Sequence, residues 1–327
     1  MKIVVIRLSS IGDIVLTSPI IRCLKNQLPP NSEIHYLTKP GFNILLNENP
    51  YIDKLWLLKP NLNDTIAEIK SQKFDYIIDL HNNLRTMIIK KRCGVKAFSF
   101  DKLNFKKFIL THFKINHLPS THIVDRYFKT VKSIGVVNDN KGLDYFNPAS
   151  VNDIFNKYEV LKNLDFVAMA IGGQHSTKKL PATQLIEILS SSNFKVVLLG
   201  GKEDVGIANV LEFSIPDKVI NLVGRLTLHE SAGVVALSKG LVTHDTGMMH
   251  IAAALKKPVI AIWGNTIPGF GMTAYYGNYS IFNKNFEVQN LKCRPCSKIG
   301  FDKCPKGHFD CMNLQNTQSI SETLNNL

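Results

Sequence analysis

The chain has 327 residues, of which 45% are hydrophobic and 20% are charged. This length favours two domains, and the composition excludes a disordered chain, a collagen-like repeat and a small disulfide-rich protein. Lysine and arginine outnumber aspartate and glutamate by 39 to 26, and most of the excess lies in residues 85–135, with twelve basic and two acidic residues. The sequence shows neither a secretory signal nor an apolar run long enough to span a membrane. We therefore expect a cytoplasmic protein.

Short apolar runs alternate with helical patterns, which predicts parallel sheets covered by helices on both faces. The predicted strands are 2–7, 33–37, 53–58, 74–80, 165–171, 195–199, 240–243 and 258–263. The predicted helices run from about Asp13 to Gln27 and from near Pro181, Glu203, Leu228 and Thr246. The polar segment 141–163 separates the two series. We therefore predict two doubly wound Rossmann-like domains, residues 1–150 and residues 151–327.

The loop after the first strand ends at Asp13, which admits two interpretations. Its carboxylate suits a helix N-cap, because it can accept hydrogen bonds from the N–H groups of the first turn. It also suits a general base, because ligands bind beyond the carboxyl ends of parallel strands. The loop lacks the glycine pattern of a dinucleotide-binding turn, which argues against a nicotinamide-dependent dehydrogenase.

Three loops in the second half carry groups suited to a phosphorylated ligand. Residues 172–181 offer two glycines, hydroxyls and two lysines before a helix N-terminus, which attracts anions. Residues 199–204 place an acidic pair after two glycines, which fits ribose hydroxyls or a plain turn. In residues 243–250, Asp245 or Thr246 caps a helix whose first N–H groups are open to a diphosphate. Each loop taken alone also fits an ordinary surface turn, and a lone helical histidine such as His250 is more often structural than catalytic.

Taken together and in order, these motifs resemble glycosyltransferase family 9, the ADP-heptose:lipopolysaccharide heptosyltransferases, over essentially the full chain. The matching segments are 10–13 (SIGD), 172–181, 245–250 (DTGMMH) and 264–268 (GNTIP). The resemblance implies a GT-B fold, in which two Rossmann-like domains face a central cleft. The N-terminal domain would bind mainly the acceptor and the C-terminal domain the nucleotide-sugar donor. The implied reaction is inverting transfer of a sugar, with ADP-heptose as the expected donor, onto a hydroxyl of a lipopolysaccharide core acceptor.

The resemblance also implies roles for individual residues. Asp13 would be the catalytic base, with Ser10 and Gly12 in the acceptor-side loop. Lys178 falls where the family has a lysine that binds the donor phosphate, and Glu203 falls near a nucleoside contact. The other expected donor contacts are Gly173, Gln174, Asp245, Thr246, Gly247, Met248 and His250.

We expect the reaction to need no cofactor. The sequence contains no D-x-D pair that would hold a divalent metal on the diphosphate. Lys178 and the backbone N–H groups around Thr246 and Gly247 would stabilise its charge instead. The family often has tryptophan where Leu180 precedes the proline of the second motif, so the donor pocket is expected to differ there.

The basic segment 85–135 mixes its lysines and arginines with phenylalanines, namely Phe98, Phe100, Phe105, Phe108 and Phe113. Such a mixture suits an anionic membrane surface, an anionic glycolipid or a nucleic acid, and also a solvated face over an amphipathic core. The family resemblance selects the first two, because its acceptor is a phosphorylated lipid at the cytoplasmic leaflet. We therefore expect peripheral contact with the inner membrane and no nucleic-acid partner.

Six cysteines are present, and Cys23 and Cys93 are isolated in the sequence. The other four form a cluster: Cys293, Cys296, Cys304 and Cys311. In a reducing cytosol this spacing predicts a structural zinc site rather than a disulfide pair, with reduced core thiols as the alternative.

Two alternative functions stay open at this point. One is a GT-B transferase or epimerase that uses another nucleotide sugar, and an epimerase would release its sugar without an acceptor. The other, from a different class, is a nucleic-acid-binding protein that uses the basic segment, although the sequence has no recognition motif for nucleic acid.

Overall fold

The computed structural model describes residues 1–146 and 148–327. The chain forms two compact units. The first unit comprises Met1–Asn104, Thr121–Phe146 and Tyr275–Tyr279. The second unit comprises Phe105–Ser120, Asn147–Ala274 and Ser280–Leu327. Part of the basic segment, Phe105–Ser120, therefore packs with the second unit although it lies in the first half of the sequence.

The first half of the chain supplies one parallel sheet and a series of helices. The strands are β1 (Lys2–Ile6), β2 (Glu33–Thr38), β3 (Lys54–Leu57), β4 (Tyr76–Asp79) and β5 (Lys96–Ser99). The helices are α1 (Ile11–Val15), α2 (Ser18–Gln27), α3 (Leu62–Ser71), α4 (Leu84–Cys93), α5 (Asn104–Phe113) and α6 (Ile123–Phe128). The strand order is β3-β2-β1-β4-β5, and all pairs are parallel.

The second half supplies a second parallel sheet. Its strands are β6 (Phe166–Ala170), β7 (Lys195–Leu199), β8 (Val219–Asn221), β9 (Leu241–His244), β10 (Val259–Trp263) and β11 (Asn283–Glu287). Its helices are α7 (Val151–Lys157), α8 (Ala182–Ser190), α9 (Val205–Ser214), α10 (Leu228–Leu237), α11 (Gly247–Ala254), α12 (Asp310–Asn313) and α13 (Thr317–Asn325). The strand order is β11-β10-β9-β6-β7-β8, again with parallel pairs.

The long helix predicted from Asp13 to Gln27 is wrong, because the structure splits it into α1 and α2. Leu16 ends α1, and Thr17 is the N-cap of α2. Pro19 lies in the first turn of α2, where a missing N–H costs nothing, whereas in the interior of a continuous helix it would remove a hydrogen bond. The helix predicted to start near Pro181 is present as α8, with Pro181 as its N-cap.

Each sheet has a point where the strand order reverses. In the first sheet β1 lies between β2 and β4, and in the second sheet β6 lies between β9 and β7. Ligands of doubly wound domains bind beyond the carboxyl ends of the strands at such points. The loop that contains Asp13 follows β1, and the loops 172–181 and 245–247 follow β6 and β9, so these three loops lie at the two reversal points. The other predicted loops, 199–204 and 264–268, follow the neighbouring strands β7 and β10.

The helices found in residues 1–146 and 148–327 are all too short or too polar to cross a bilayer.

Candidate active site

Asp13 lies in the first turn of α1, just beyond the carboxyl end of β1. Its Oδ1 atom pairs with Nη2 of Arg7 at 2.6 Å, and its Oδ2 atom accepts hydrogen bonds from the backbone N–H and the hydroxyl of Ser10 at 3.3 and 2.9 Å. The N-cap of α1 is Ser10, and Asp13 occupies the third helical position. The N-cap interpretation of Asp13 is therefore wrong, although its carboxylate does satisfy an N–H group at this helix start.

The charge state of Asp13 is set by its surroundings. Burial alone would raise the pKa of this carboxyl, but the Arg7 guanidinium and the Ser10 hydrogen bonds outweigh it and hold the pKa below its ordinary value. Arg7 is itself fixed, since it donates to the Leu80 carbonyl at 2.5 Å and to the Tyr127 hydroxyl at 3.2 Å. Asp13 is therefore ionised at neutral pH. One fifth of its side chain is exposed, and the carboxylate keeps lone pairs that can accept a proton.

His81 lies near this site and was not predicted from the sequence. It follows β4, the strand next to β1, and its N–H and that of Asn82 donate to the buried carboxylate of Asp79 at 3.0 and 2.7 Å. Burial, together with the positive charges of Arg7 and Lys102, lowers the pKa of His81 to about 4. The ring is therefore neutral at neutral pH and can donate or accept a hydrogen bond there.

In the second unit, Lys178 and Asp245 meet beyond the carboxyl ends of β6 and β9. Lys178 Nζ lies 2.5 Å from Asp245 Oδ2 and 3.3 Å from the Asp245 carbonyl oxygen. The hydroxyl of Thr266, in the loop after β10, donates to the same Oδ2 atom at 2.8 Å. Three of the predicted loops thus contribute one residue each to a single polar cluster.

The start of α11 lies beside this cluster. Thr246 is the N-cap, but its side chain accepts no hydrogen bond from the first turn; its hydroxyl instead lies 3.2 Å from that of Thr243. The N–H groups of Gly247 and Met248 therefore have no side-chain cap and carry the positive end of the helix dipole. Gly173 is close by, since a Cβ there would lie 3.4 Å from Thr246 Cγ2. This arrangement can bind a diphosphate.

Lys179 makes a second ion pair that the sequence did not predict. Its Nζ lies 2.6 Å from Oδ1 of Asp204, and the Gly201 N–H donates to the other oxygen of that carboxylate at 3.0 Å. A Cβ on Gly172 would lie 2.5 Å from Asp204 Oδ2, so this close approach requires glycine. Glu203, the predicted nucleoside contact, is exposed, whereas its neighbour Asp204 is buried.

His244 anchors the loop 172–181 to β9. The N–H of Leu180 donates to His244 Nε2 at 3.0 Å. Burial lowers the pKa of this fully buried histidine to about 4, so the ring is neutral and can accept that bond. Because His244 directly precedes Asp245, one ring fixes the relative positions of the two loops that carry the lysine and its carboxylate.

The segment 289–311, here called the cysteine-rich segment, makes hydrogen bonds to two of the loops expected to bind the donor, 172–181 and 264–268. Arg294 donates to the carbonyl oxygens of Gly264 and Thr266 at 2.6 and 2.8 Å. The Phe301 N–H donates to the Thr177 hydroxyl at 2.8 Å, and the Thr177 N–H donates back to the Phe301 carbonyl at 3.1 Å. The sequence analysis missed this role, because it depends on contacts between distant parts of the chain.

The four cysteines of this segment are free thiols. Cys311 is buried, the other three are half-buried, and the Cys296 thiol donates to the Cys293 carbonyl at 3.0 Å. In residues 1–146 and 148–327, no three Cys, His, Asp or Glu side chains are grouped closely enough to hold a metal ion. The structural zinc site stays a prediction that this arrangement does not support.

The remaining predicted residues lie in the same loops. Gln174 and Ser10 are exposed, Met248 is half-buried, and Gly12 and His250 are buried.

Comparison with known proteins identifies the family to which this chain belongs. The family model for glycosyltransferase family 9 (heptosyltransferase) matches residues 64–300, which is most of the chain. The chain belongs to glycosyltransferase family 9. It is therefore a glycosyltransferase, and the predicted enzyme class is confirmed.

Individual relatives agree with this assignment. Lipopolysaccharide heptosyltransferase 1 of Campylobacter coli is 25% identical over 296 residues, which cover 81% of this chain and 84% of that protein. The family 9 glycosyltransferase of Veillonella parvula superposes with a TM-score of 0.77 at 21% identity, covering 99% of this chain and 96% of that one. An Escherichia coli heptosyltransferase solved with ADP gives 0.68 at 17% identity, covering 100% and 99%; with ADP-2-deoxy-2-fluoro heptose it gives 0.66 at 16% identity, again covering 100% and 99%. These superpositions confirm the predicted GT-B fold.

Proposed function

We propose that this family 9 glycosyltransferase transfers a heptose from ADP-heptose onto a hydroxyl of a lipopolysaccharide core acceptor, with inversion at the anomeric carbon. The Campylobacter coli relative is named a lipopolysaccharide heptosyltransferase, and the Escherichia coli heptosyltransferase was solved with ADP and with ADP-2-deoxy-2-fluoro heptose. The observation that carries the proposal is the Lys178–Asp245–Thr266 cluster beside the uncapped start of α11. It offers one fixed ammonium group and several backbone N–H groups to a single diphosphate.

The donor side of the reaction follows from this cluster. As the bond between the anomeric carbon and the diphosphate oxygen breaks, negative charge grows on the leaving phosphate. Lys178 and the N–H groups of Gly247 and Met248 are fixed in advance where that charge develops, and such preorganised groups often supply the largest catalytic effect. These groups supply the positive charge that a metal ion supplies elsewhere, so we propose that the reaction needs no metal on the diphosphate.

The acceptor side follows from Asp13. The acceptor oxygen forms its bond to the anomeric carbon on the face opposite the leaving diphosphate, and its proton passes to an Asp13 carboxylate oxygen. Arg7 and Ser10 keep that carboxylate ionised and oriented. Its low pKa makes it a weak base in the ground state. The transfer becomes favourable late in the reaction, because the hydroxyl grows more acidic as it bonds to the electron-poor carbon.

We also propose that the acceptor is an anionic glycolipid and that the enzyme contacts the cytoplasmic face of the inner membrane. This is supported by the concentration of basic residues in 85–135, since basic clusters bind anionic lipid surfaces. No helix in the described part of the chain is suited to span the bilayer, so the proposed contact is peripheral.

The test is calorimetric titration of the purified protein with ADP, GDP, UDP and NAD, followed by an assay with ADP-heptose and a deacylated lipopolysaccharide core acceptor. We expect selective binding of ADP that Lys178→Ala weakens, and acceptor-dependent release of ADP. Preference for GDP or UDP would retain the transferase and replace its donor. Release of free sugar without an acceptor would indicate an epimerase. Absence of nucleotide binding would overturn the proposal.

A further inference from the structure

Helix α5 presents an apolar face to the solvent. Phe105, Phe108 and Phe113 are 74%, 49% and 64% exposed, whereas Leu110 is buried. Positions 105, 108 and 112 lie on one side of a helix, and Phe108 stacks on His112 with ring centroids 4.1 Å apart. The exposed side of α5 is therefore its aromatic side, the reverse of what an ordinary surface helix shows. Contiguous exposed apolar patches of this kind mark interaction sites.

This face belongs to a fixed part of the molecule. The ammonium group of Lys114, directly after α5, donates to three carbonyl oxygens, those of Thr111, Cys293 and Pro295, at 2.7, 2.9 and 2.8 Å. An ammonium group has three donors, so all are used. Lys114 thus ties α5 to the cysteine-rich segment, and the exposure of the phenylalanines is a property of the folded second unit.

The surroundings of α5 are strongly basic. Residues 105–117 and the cysteine-rich segment contain eight basic residues and two acidic residues, Asp302 and Asp310. A pocket of about 450 Å³ between α5 and the cysteine-rich segment is lined by His112, Lys292 and Lys306, among others. Both of these lysines are exposed, and neither is among the ion pairs of the described residues. The apolar face and the uncompensated charge therefore adjoin.

We propose that α5 and the cysteine-rich segment form the surface on which this enzyme lies against an anionic phospholipid bilayer. Phe105, Phe108 and Phe113 would insert at the boundary between headgroups and acyl chains, and Lys292 and Lys306 would contact lipid phosphates. A bilayer accounts for both features, whereas a second copy of this chain would have to meet the same lysines with its own. The proposal rests on the lipid acceptor of the proposed function, and it assigns the contact to the second unit.

The test is co-sedimentation of the full-length protein with two kinds of vesicle, phosphatidylcholine alone and phosphatidylcholine mixed with phosphatidylglycerol. The variants are Phe105→Ser/Phe113→Ser and Lys292→Gln/Lys306→Gln. The matched controls are Phe213→Ser, since Phe213 is 90% exposed on α9 far along the chain, and Lys162→Gln/Lys195→Gln, which removes two other exposed lysines.

We expect the wild type to bind only the vesicles that contain phosphatidylglycerol, and binding to fall with added salt. The double phenylalanine variant should bind about tenfold more weakly or worse, because the inserted aromatic area is lost. Each lysine removed should weaken binding about fivefold. The controls should bind like the wild type. Equal binding of all variants, or no binding by the wild type, would overturn the proposal. So would a wild-type dimer that Phe105→Ser/Phe113→Ser dissociates, because the face would then be an interface between copies.

An activity assay separates this proposal from the proposed function. With ADP-heptose and the deacylated acceptor, the phenylalanine and lysine variants should turn over at the wild-type rate, since none of these residues belongs to the site. Activity of the wild type without vesicle binding would reject the membrane surface alone. Vesicle binding that depends on these residues, without heptose transfer, would support the surface and reject the proposed donor and acceptor.

Discussion

The two sites of this chain differ in the distance along the sequence over which they are assembled. Asp13 is held by Arg7 and Ser10, which lie within six residues of it. Lys178 is held by Asp245, which lies 67 residues away, and its loop is braced by Phe301, a further distant residue. The direct partners of Asp13 are therefore local in the sequence, whereas the second site is a convergence of distant loops. A substitution near Asp13 should change the charge state of its carboxylate. A substitution around Lys178 should change the position of the groups that bind the donor.

The largest effect is expected for Asp13→Asn. The amide keeps the shape but cannot accept the proton, so kcat should fall about 10³-fold, within the range that general bases contribute. The measurement is steady-state turnover with ADP-heptose, with ADP affinity by calorimetry as the control. ADP affinity should stay at the wild-type value, and normal turnover would reject the base assignment.

Lys178→Ala should have the next largest effect. Removing one group that stabilises the leaving diphosphate should lower kcat/KM about 10²-fold. It should also weaken ADP binding, in contrast to Asp13→Asn. Lys162→Ala is the matched control, since Lys162 is an exposed lysine of the same unit. If both variants bind ADP equally well, Lys178 is only a surface charge.

Arg7→Gln tests whether the positive charge of Arg7 sets the pKa of Asp13. With Arg7 present the pKa of Asp13 lies below its ordinary value, so kcat/KM should be flat from pH 5 to pH 8. Without Arg7, burial dominates and the acid limb should move to higher pH. Stability should change in the same sense: the ion pair stabilises the fold above the unfolded pKa of about 4 and is lost as pH falls through the folded pKa. An acid limb that stays in place would show that Arg7 does not set this pKa.

Arg294→Lys is expected to have the smallest effect. It tests whether the hydrogen bonds of Arg294 to the loop after β10 position the donor site. Lysine lacks the planar fork that reaches the carbonyl groups of Gly264 and Thr266 together. Donor affinity should fall about fivefold, which corresponds to about 1 kcal/mol, the net contribution of a typical hydrogen bond. The control is Arg225→Lys, at an exposed arginine. A lower melting temperature with unchanged ADP affinity would make Arg294 a stabilising residue without a role in positioning.

The sequence predicted the central strands of both sheets because their runs are apolar and buried on both faces. It missed β5, β8 and β11. β8 has only three residues, β5 and β11 begin with an exposed lysine or asparagine, and none of the three shows an apolar run. All eight predicted strands are present, with ends that differ by at most two residues.

The candidate sites were predicted unevenly for a related reason. The loops could be located because they follow strands, and Asp13 carries a local motif. The pair Lys179–Asp204 and the bonds between Thr177 and Phe301 depend on how distant loops pack, which no periodicity reveals. The outward direction of the phenylalanines on α5 was equally hidden. From the sequence alone, these phenylalanines could face either the core or a membrane, because the same amphipathic pattern fits both.

The ion pair between Lys178 and Asp245 also bears on which anions this site can bind. Without a donor, the lysine is already neutralised by a carboxylate 2.5 Å away. A free phosphate ion would have to compete with that carboxylate while offering only one group for contact, so it gains little by binding. A nucleotide sugar adds contacts through its base, ribose and sugar, which outweigh the competition. Inorganic phosphate should therefore compete poorly with the donor, whereas the product ADP should inhibit the enzyme.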